Sequence, residues 1–470
     1  MSQPTMPQAA NTKTKQIYMV LREKILQGVY APGARLPSTR DLAGEFGVSR
    51  ALIVEVFEQL IAEGYLEGRQ GSGTYVVDLR ESHRALARIH ESEDLCADAP
   101  SLKESFLVPR IDFRPSFPDL SQIPRRKWKD AALAAYEKAS SFEFGYAADR
   151  AGYAPLRANI CRLLLHTKGI SCHPSQVIVT AGATQAISLL SRLLLKPGDA
   201  VAIEDPTASF IRHIFASSGA DILPVPVDEH GLRVDALPRH RNPKAVLVTP
   251  SHQFPLGSIL PIGRRLQLLD YAHQTGSYVI EDDYDSEFRY AGMPVRALRE
   301  LDSERVVYVG TFSKNLFPAL RLGYMVVPNE LLAPLLEWKR LADTQSPIFS
   351  QMTLSSFISE GHLERHVARM KRIYSKRRNV LIDGLSRRFG SQVRLSGDAA
   401  GLHLVAEFSG CRFDSDTVAR MEERQIHVYP AEKYAISKGG LEDRLIMGFG
   451  NVDEARILEG IEGMAEILRK

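Results

Sequence analysis

From Ile111 onward, short β-branched runs alternate with stretches of helical periodicity. The runs QVIVTAG, DAVAIEDP, AVLVTP, SYVIEDD and RVVYVGTFS end in turn residues, and helical stretches such as QAISLLSRLLL and RRLQLLDYAHQTG lie between them. Near-continuous apolar strands with helical crossovers form a mainly parallel sheet that is covered on both faces. The pattern therefore predicts an α/β domain over residues 109–470, with a large lobe over about 120–340 and a smaller α+β lobe over about 350–470.

The chain has 470 residues, more than one ordinary domain of about 100–200 residues. Its four cysteines, Cys96, Cys161, Cys172 and Cys411, show neither CxxC pairing nor metal-ligand spacing. We therefore expect reduced thiols and no metal site. No apolar run approaches the roughly 18 residues of a membrane span, and the polar start has no signal-peptide core. These features predict a cytoplasmic protein without a membrane partner.

Residues 13–77 carry the signals of three helices. Ser38 begins a capping-box-like segment, because Asp41 follows it three residues later. After a turn at Gly47, Ser49 caps a third helix. The predicted apolar face of that helix consists of Ile53, Phe57, Leu60 and Ile61. Two helices joined by a short glycine-containing turn are typical of a helix-turn-helix.

A strand, a glycine-rich tip and a second strand follow, in the run GYLEGRQGSGTYVV. Glycines let a backbone approach a phosphate or a groove closely, so this run indicates a wing. Residues 1–80 hold nine basic and eight acidic side chains, which is a net charge of only +1. The case for DNA binding therefore depends on where the charges lie and not on their sum.

The run LPSTRDLAGEFGVSRALIVEVFEQLIAEGYLEGRQGSGTYV resembles the winged helix-turn-helix of the GntR family over its whole length. The resemblance implies binding to double-stranded DNA through Arg40, Ser49, Arg50 and the wing tip Gln70, Gly71 and Ser72. Ala51 and Val54 depart from some relatives, so the operator sequence does not carry over. A helical hairpin for protein docking is the alternative interpretation.

The segment over residues 78–108 is charged and rich in Ser and Ala, a composition that predicts a linker.

Three features of the second domain indicate a site for pyridoxal phosphate (PLP). Lys314 follows a strand and the hydroxyls of Thr311 and Ser313, and Arg321 comes seven residues later. A lysine can form a Schiff base with the cofactor, while hydroxyl and guanidinium groups hold its phosphate. Asp282 ends a strand and could pair with the pyridine nitrogen. The TAGATQ segment precedes a helix and offers backbone N–H groups to phosphate.

The region from Ile111 to Lys470 resembles the fold-type I aminotransferases, and the whole chain resembles the MocR/GabR subfamily of GntR regulators. The block IDFRPSFPDLSQIPRRKWKD and the run FGYAADRAGYAPLR also match that subfamily. The resemblance implies that Lys314 carries the internal aldimine, that Asp282 meets the pyridine nitrogen and that Tyr284 lies by the 3-hydroxyl. It implies a phosphate site formed by Gly182, Ala183, Thr184, Thr311, Ser313 and Arg321, with Tyr146 reaching the phosphate of a partner subunit.

Two departures from related aminotransferases bear on the ligand. The loop PSHQFPLG has Phe254 where relatives supply an asparagine to the 3-oxygen, so His252 or Gln253 would substitute. Ala208 stands where many relatives have a ring-stacking tyrosine, and Phe210 would compensate. The resemblance places Arg444 at the carboxylate clamp of an amino acid and Arg212 near the effector.

Three alternative functions are compatible with this predicted site. In the first, an amino acid or other amine displaces Lys314 from the cofactor by aldimine exchange, and the movement of the small lobe changes DNA binding. In the second, PLP itself is the signal and the protein regulates vitamin B6 synthesis. In the third, the chain is a working aminotransferase that carries a DNA-binding domain, although Phe254 argues against efficient turnover. Fold-type I sites are built at dimer interfaces, so the resemblance also implies a homodimer.

Overall fold

The computed structural model of the chain describes residues 8–69, 71–78, 110–146 and 149–468. The chain divides into an N-terminal unit, residues 1–107, and a C-terminal unit, residues 108–470. Gln70 and residues 79–108 of the predicted linker lie outside the described residues. No helix among the described residues is both long enough and apolar enough to cross a membrane.

The N-terminal unit contains three helices and a two-stranded antiparallel sheet. They are α1 (Gln8–Leu26), α2 (Thr39–Phe46), α3 (Arg50–Ala62), β1 (Leu66–Arg69) and β2 (Gly73–Val76). Ser38 and Asp41 form the predicted capping box, with each side chain accepting from the other residue's backbone N–H at 3.2 Å. Ser49 caps α3 by accepting from the N–H of Leu52 at 3.4 Å.

The predicted apolar face of α3 needs one correction. Ile53, Phe57 and Leu60 are buried as predicted, whereas Ile61 is 40% exposed and Val56 is fully buried. The positions i, i+3, i+4 and i+7 face the core in a helix of 3.6 residues per turn, and i+8 lies at the edge of that stripe. The core between α1, α2 and α3 therefore takes Val56 in place of Ile61.

The large lobe of the C-terminal unit is built on an eight-stranded sheet. Its strands are β4 (Val177–Thr180), β5 (Ala200–Asp205), β6 (Asp221–Asp228), β7 (Gly231–Leu232), β8 (Ala245–Val248), β9 (Tyr278–Asp283), β10 (Val306–Thr311) and β11 (Gly323–Val326), and a two-residue strand, β3 (Ile111–Asp112), precedes them. Its helices are α4 (Arg125–Lys138), α5 (Ala154–Lys168), α6 (Ala183–Leu194), α7 (Ser209–Ser217), α8 (Ile262–Thr275), α9 (Asn329–Asp343) and α10 (Ile348–Ser359).

The strand order is β4-β11-β10-β9-β8-β5-β6-β7. Strands β10, β9, β8, β5 and β6 are mutually parallel, and β11 is antiparallel to both of its neighbours. Apolar clusters cover both faces of the sheet. The predicted α/β fold with a mainly parallel sheet is confirmed. Because the central strands are parallel, their carboxyl ends lie at one edge of the sheet, and β4 runs in the same direction as β10.

The smaller lobe holds a four-stranded antiparallel sheet in the order β12-β13-β16-β15. Its elements are α11 (His362–Phe389), β12 (Val393–Ser396), β13 (His403–Phe408), α12 (Ser415–Glu423), β14 (Ile426–His427), β15 (Tyr429–Pro430), β16 (Arg444–Gly448) and α13 (Glu454–Leu468). One apolar core lies beneath this sheet. Strand β14 pairs in parallel with β3, more than 300 residues earlier, so the start of the C-terminal unit is attached to its small lobe.

Candidate functional site

A cavity of about 530 Å³ opens where the carboxyl ends of the central strands meet the small lobe. Parallel α/β sheets bind their ligands at this edge, because the loops that follow the strands converge there. The lining includes eight of the residues predicted from sequence: Ala183, Thr184, Asp282, Tyr284, Thr311, Ser313, Lys314 and Arg321. The structure thus brings together segments that are separated by up to about 140 residues in the chain.

Asp282 lies near the end of β9 and is 6% exposed. Its Oδ1 atom is buried and receives no hydrogen bond from any residue that the structure describes. Burial is the main cause that raises the pKa of Asp282 to about 7, and Asp283 adds to the effect while Lys314 opposes it. An unpaired buried carboxylate is costly, so this side chain is suited to an N–H or cationic group of a ligand in the cavity.

The next residue along β9, Asp283, has its carboxylate in a different environment. Asp283 Oδ2 lies 2.8 Å from Lys168 Nζ and accepts a hydrogen bond from the Tyr308 hydroxyl at 2.8 Å. Although burial opposes ionisation, these partners hold the pKa of Asp283 below its usual value. Successive residues of a strand face opposite sides of a sheet, which explains why Asp282 alone lines the cavity.

Lys314 follows β10 by three residues and extends into the cavity. Burial lowers the pKa of Lys314, although Asp285 and Asp282 both oppose that effect. A lowered pKa increases the fraction of neutral amine, which is the nucleophilic form of a lysine. The neutral amine is also the form that could react with a carbonyl group of a ligand.

One end of the cavity is suited to an anion. Gly182 has φ +91°, and a Cβ atom there would lie 3.3 Å from Arg321 Nη2. Arg321 Nη2 donates to the carbonyl of Ala181 at 2.6 Å, so the guanidinium lies beside the N-terminus of α6. The hydroxyls of Thr311 and Ser313 lie 3.0 Å apart. A helix N-terminus, a guanidinium and two hydroxyls are groups that could together hold a phosphate.

The loop PSHQFPLG holds its polar side chains away from the lining. His252 Nδ1 lies 3.0 Å from Asp285 Oδ1, and Gln253 Nε2 donates to Glu204 Oε2 at 3.2 Å and to the carbonyl of Pro206 at 2.9 Å. The structure therefore does not bring His252 and Gln253 into the cavity as the sequence predicted. Instead Tyr284 lines it, and its hydroxyl donates to the backbone carbonyl of His252 at 3.0 Å.

Apolar side chains complete the lining. Phe254 makes edge-on contacts with Tyr284 and Tyr434, with ring centroids 6.0 and 5.2 Å apart. Ala208 and Phe210 also line the cavity, at the start of α7. A planar ligand ring would therefore have aromatic and aliphatic neighbours on this side.

Besides Gly182, His252 and Gln253, three more residues predicted for the cofactor or effector are not in this lining: Tyr146, Arg212 and Arg444. Tyr146 is 87% exposed and borders a separate pocket. Arg212 is half-buried in α7. Arg444 begins β16, and its guanidinium lies 3.2 Å from Glu407 Oε2, an ion pair within the small-lobe sheet. The expected carboxylate clamp at Arg444 is thus absent from the cavity in this structure.

The cavity lining also contains residues that no sequence pattern indicated. Arg114, Ser116, Tyr429 and Tyr434 line the cavity from the small-lobe side. Arg114 and Tyr429 follow β3 and β14, the paired strands described above. Nothing in the sequence indicates this pairing, because strands of two residues carry no periodicity that could be recognised.

The N-terminal unit presents its predicted DNA contacts to solvent. Arg40, Ser49, Arg50, Gly71 and Ser72 are all exposed. Arg50 Nε donates to Thr39 Oγ1 at 3.3 Å, which joins the N-termini of α2 and α3. At the wing, the Arg69 guanidinium lies 4.5 Å from the centre of the Tyr75 ring. Exposed N-terminal residues of a second helix are the positions that contact base edges in helix-turn-helix proteins.

Comparison with known families accounts for both units. The family described as "Aminotransferase class I and II" matches residues 117–445, and "Bacterial regulatory proteins, gntR family" matches residues 13–76. The chain is 33% identical to the probable rhizopine catabolism regulatory protein MocR of Rhizobium meliloti, over 96% of this chain and 92% of that protein. It is 32% identical to the pyridoxine biosynthesis regulator PdxR of Corynebacterium glutamicum, over 93% and 92%.

Solved aminotransferases share the fold of the C-terminal unit. The Pyrococcus horikoshii kynurenine aminotransferase matches with a TM-score of 0.71 and 26% identity, covering 83% of this chain and 94% of that one. The α-aminoadipate aminotransferase LysN of Thermus thermophilus matches with a TM-score of 0.70 and 27% identity, covering 76% and 92%. This fold implies dependence on PLP. The chain belongs to the aminotransferase class I and II family and, because a gntR-family helix-turn-helix precedes that domain, to the MocR-type transcriptional regulators.

Proposed function

We propose that this protein is a transcription regulator in which residues 109–470 hold PLP at Lys314 and sense an amino acid or related primary amine. Residues 13–77 would bind the operator, and residues 78–108 would link the two domains. One observation carries the proposal: the unpaired Asp282 Oδ1 lies in the same cavity as Lys314. A carboxylate without a donor beside a lysine of lowered pKa fits a pyridine nitrogen and an aldehyde.

The residues present fit the cofactor at both ends. Asp282 would accept from the protonated pyridine nitrogen, and Tyr284, held by the carbonyl of His252, would meet the 3-oxygen. His252 and Gln253 would act only indirectly, by fixing this loop. The phosphate would lie among Gly182, Ala183, Thr184, Thr311, Ser313 and Arg321. When bound, the cofactor supplies an aldehyde that reacts reversibly with primary amines.

The effector response would start at Lys314. Lys314 would hold the cofactor until an amine takes its place, and its free amino group would then be stabilised as a cation by Asp282 and Asp285. Residues of both lobes line the cavity, so a ligand that contacts both favours one arrangement of the lobes over another. Such differential binding is what an allosteric change in DNA affinity requires. Arg212, near the start of α7, would lie outside the direct contacts.

The operator contacts would be Arg40, Ser49, Arg50 and the wing tip Gln70, Gly71 and Ser72. The exposure of the described members of this set supports that assignment. Family membership implies DNA binding, and exposed arginines at helix N-termini suit phosphates and guanine edges.

We further propose that the protein acts as a homodimer. Phe142, Phe144 and Tyr146 are 86%, 66% and 87% exposed, and Tyr136 stacks on Phe349 with ring centroids 4.2 Å apart. A cluster of exposed aromatic side chains is typical of a protein interface. Burial of this cluster against a second copy would carry Tyr146 towards the partner's phosphate site.

The test compares the PLP-loaded protein with Lys314→Ala and with Lys196→Ala, a control at an exposed lysine. DNA affinity for a fragment upstream of the gene is measured by fluorescence anisotropy, with and without a panel of amino acids and amines. The wild type and Lys196→Ala should respond to at least one amine, and Lys314→Ala should respond to none. An equal response in Lys314→Ala would refute the proposal.

The relative PdxR, a regulator of pyridoxine biosynthesis, favours a second function in which PLP itself is the signal. The same residues would serve, but the cofactor would arrive and leave instead of a second ligand. Titration of cofactor-free protein with PLP, in the absence of amines, separates the two functions. A large change in DNA affinity on PLP addition alone would favour the second.

A further inference from the structure

Among the described residues, three cationic side chains line the cavity: Arg114, Lys314 and Arg321. Lys314 and Arg321 have roles in the proposed cofactor site, whereas Arg114 has none. We propose that Arg114, oriented by Tyr429, binds the carboxylate of the amine effector, so that the effectors are amino acids and not simple amines. This inference rests on the proposed function. It gives Arg114 the contact with the effector carboxylate that was predicted from sequence for Arg444.

The geometry leaves the end of the Arg114 side chain free for a ligand. Arg114 Nε donates to the Tyr429 hydroxyl at 3.2 Å and lies 3.3 Å from Asp112 Oδ2. The Tyr429 hydroxyl in turn donates to Asp112 Oδ1 at 3.0 Å. Both polar contacts of Arg114 within the described residues use Nε, so its two Nη groups can form the paired hydrogen bonds that a carboxylate accepts.

Other contacts fix the guanidinium in place. Its central carbon lies 5.1 Å from the centre of the Phe117 ring, which adds a cation–π contact. The hydrogen bond to Tyr429 is the main cause that raises the pKa of Arg114. Arg114 is therefore a permanent cation that is held before the ligand arrives. A held arginine loses less side-chain entropy on binding than a mobile one does.

Arg444 is in the wrong place to take this role. In the β15–β16 register Tyr429 lies opposite Ile446, and Ile446 packs in the apolar cluster beside Tyr429 and Tyr434. Arg444 is on the same face of β16 but two residues earlier, about 7 Å along the strand. There it pairs with Glu407. The strand position beside the cavity is thus apolar, and the cation comes from Arg114.

A ladder of ω-amino acids tests the inference. Glycine, β-alanine, 4-aminobutyrate and 5-aminovalerate are each compared with the alkylamine that lacks the carboxylate: methylamine, ethylamine, propylamine and butylamine. Affinities come from the change in cofactor absorbance on titration of the PLP-loaded protein. The wild type should bind at least one amino acid tenfold or more tightly than its matched amine, since a charge-assisted hydrogen-bond pair supplies an effect of about that size.

Three variants assign that advantage to a residue. Arg114→Gln should abolish the preference for the carboxylate while leaving the affinity for the alkylamine within about twofold. Tyr429→Phe should reduce the preference only in part, and Arg444→Gln should retain it. Thermal unfolding of each variant checks that it is folded, and Arg114→Lys, which keeps the charge, should restore a part of the preference.

The outcomes separate the two proposals. The inference fails if the wild type shows no preference at any chain length, if Arg114→Gln keeps it, or if Arg444→Gln alone removes it. If no amine changes the spectrum of the wild type, the proposed function fails. Calorimetric binding of propionate, which needs no amine chemistry, then decides the role of Arg114: binding lost in Arg114→Gln supports it, and unchanged binding overturns it.

Discussion

Two adjacent carboxylates on β9 should respond to the same substitution in opposite directions. Asp282 is buried without a hydrogen-bond donor for Oδ1 among the described residues, whereas Asp283 has Lys168 and Tyr308 as partners. Asp282→Asn removes a charge that the cofactor-free protein cannot satisfy. Asp283→Asn removes a charge that is already paired. We expect the first variant to be more stable than the wild type without cofactor, and the second to be less stable.

The magnitude follows from the pKa. The rise in the pKa of Asp282 on folding, from 3.8 to about 7, lowers the unfolding free energy of the wild type by about 4 kcal/mol at pH 8. Asp282→Asn removes this penalty, but the buried amide that replaces the carboxylate has no partner and costs about 1–3 kcal/mol. The net stabilisation by Asp282→Asn is therefore about 1–3 kcal/mol. For Asp283→Asn, breaking a buried ion pair costs about 3–5 kcal/mol.

The pH dependence supplies a second check. A carboxyl whose pKa is raised on folding binds its proton more tightly in the folded state, so the wild type loses stability as pH rises from about 4 to about 7. The advantage of Asp282→Asn should therefore shrink to near zero at pH 5. The pKa of Asp283 is lowered on folding. Its contribution to stability is therefore complete at pH values above its pKa in the unfolded chain, and it is lost as the pH falls through its pKa in the folded protein.

Tryptophan fluorescence during urea unfolding is a suitable assay. Both tryptophans of the chain, Trp128 and Trp338, lie in the C-terminal unit, so the signal reports on that unit alone. Cofactor-free wild type, Asp282→Asn and Asp283→Asn are compared at pH 8 and pH 5. Equal destabilisation by both substitutions at pH 8 would show that Asp282 is a satisfied structural carboxylate, and the basis for the cofactor site would be lost.

Three further substitutions have definite expected effects. Gly182→Ala places a Cβ 3.3 Å from Arg321 Nη2 at a φ of +91°, and a PLP titration should show about tenfold weaker binding; unchanged affinity would count against the phosphate site. Ser38→Ala removes the side-chain cap of α2 and should cost about 1 kcal/mol, visible as faster amide hydrogen exchange in α2 and nowhere in the C-terminal unit. Arg50→Gln should weaken binding to the promoter fragment by about tenfold or more, and a variant that binds as the wild type does would exclude a base contact at this position.

Much of the candidate site could be predicted because its residues follow strand ends. Asp282, Lys314 and the segment at Gly182 come directly after or near the end of apolar runs, and parallel strands bring such positions to one edge. The caps of α2 and α3 were also predictable, because Ser38 and Ser49 act within three or four residues of themselves. Local chemistry and strand direction suffice for both.

The effector side was not predictable, because it depends on long-range register. Arg444 and Ile446 share one face of β16, and only the pairing with β15 shows which of them adjoins the cavity. Arg114 reaches the site through the pairing of β3 with β14, two strands of two residues each. His252 was expected in the site, but Asp285 holds its ring away from the lining, and a pairing of this kind leaves no pattern in the sequence.

The proposed function requires that Lys314 carry the cofactor. Reduction of the PLP-treated protein with borohydride, followed by peptide mass spectrometry, tests it most directly, because reduction makes the link between lysine and cofactor permanent. We expect one phosphopyridoxyl group per chain on Lys314 and none in Lys314→Ala. A wild type that stays unlabelled, or a label that lies mainly on other lysines, would contradict it.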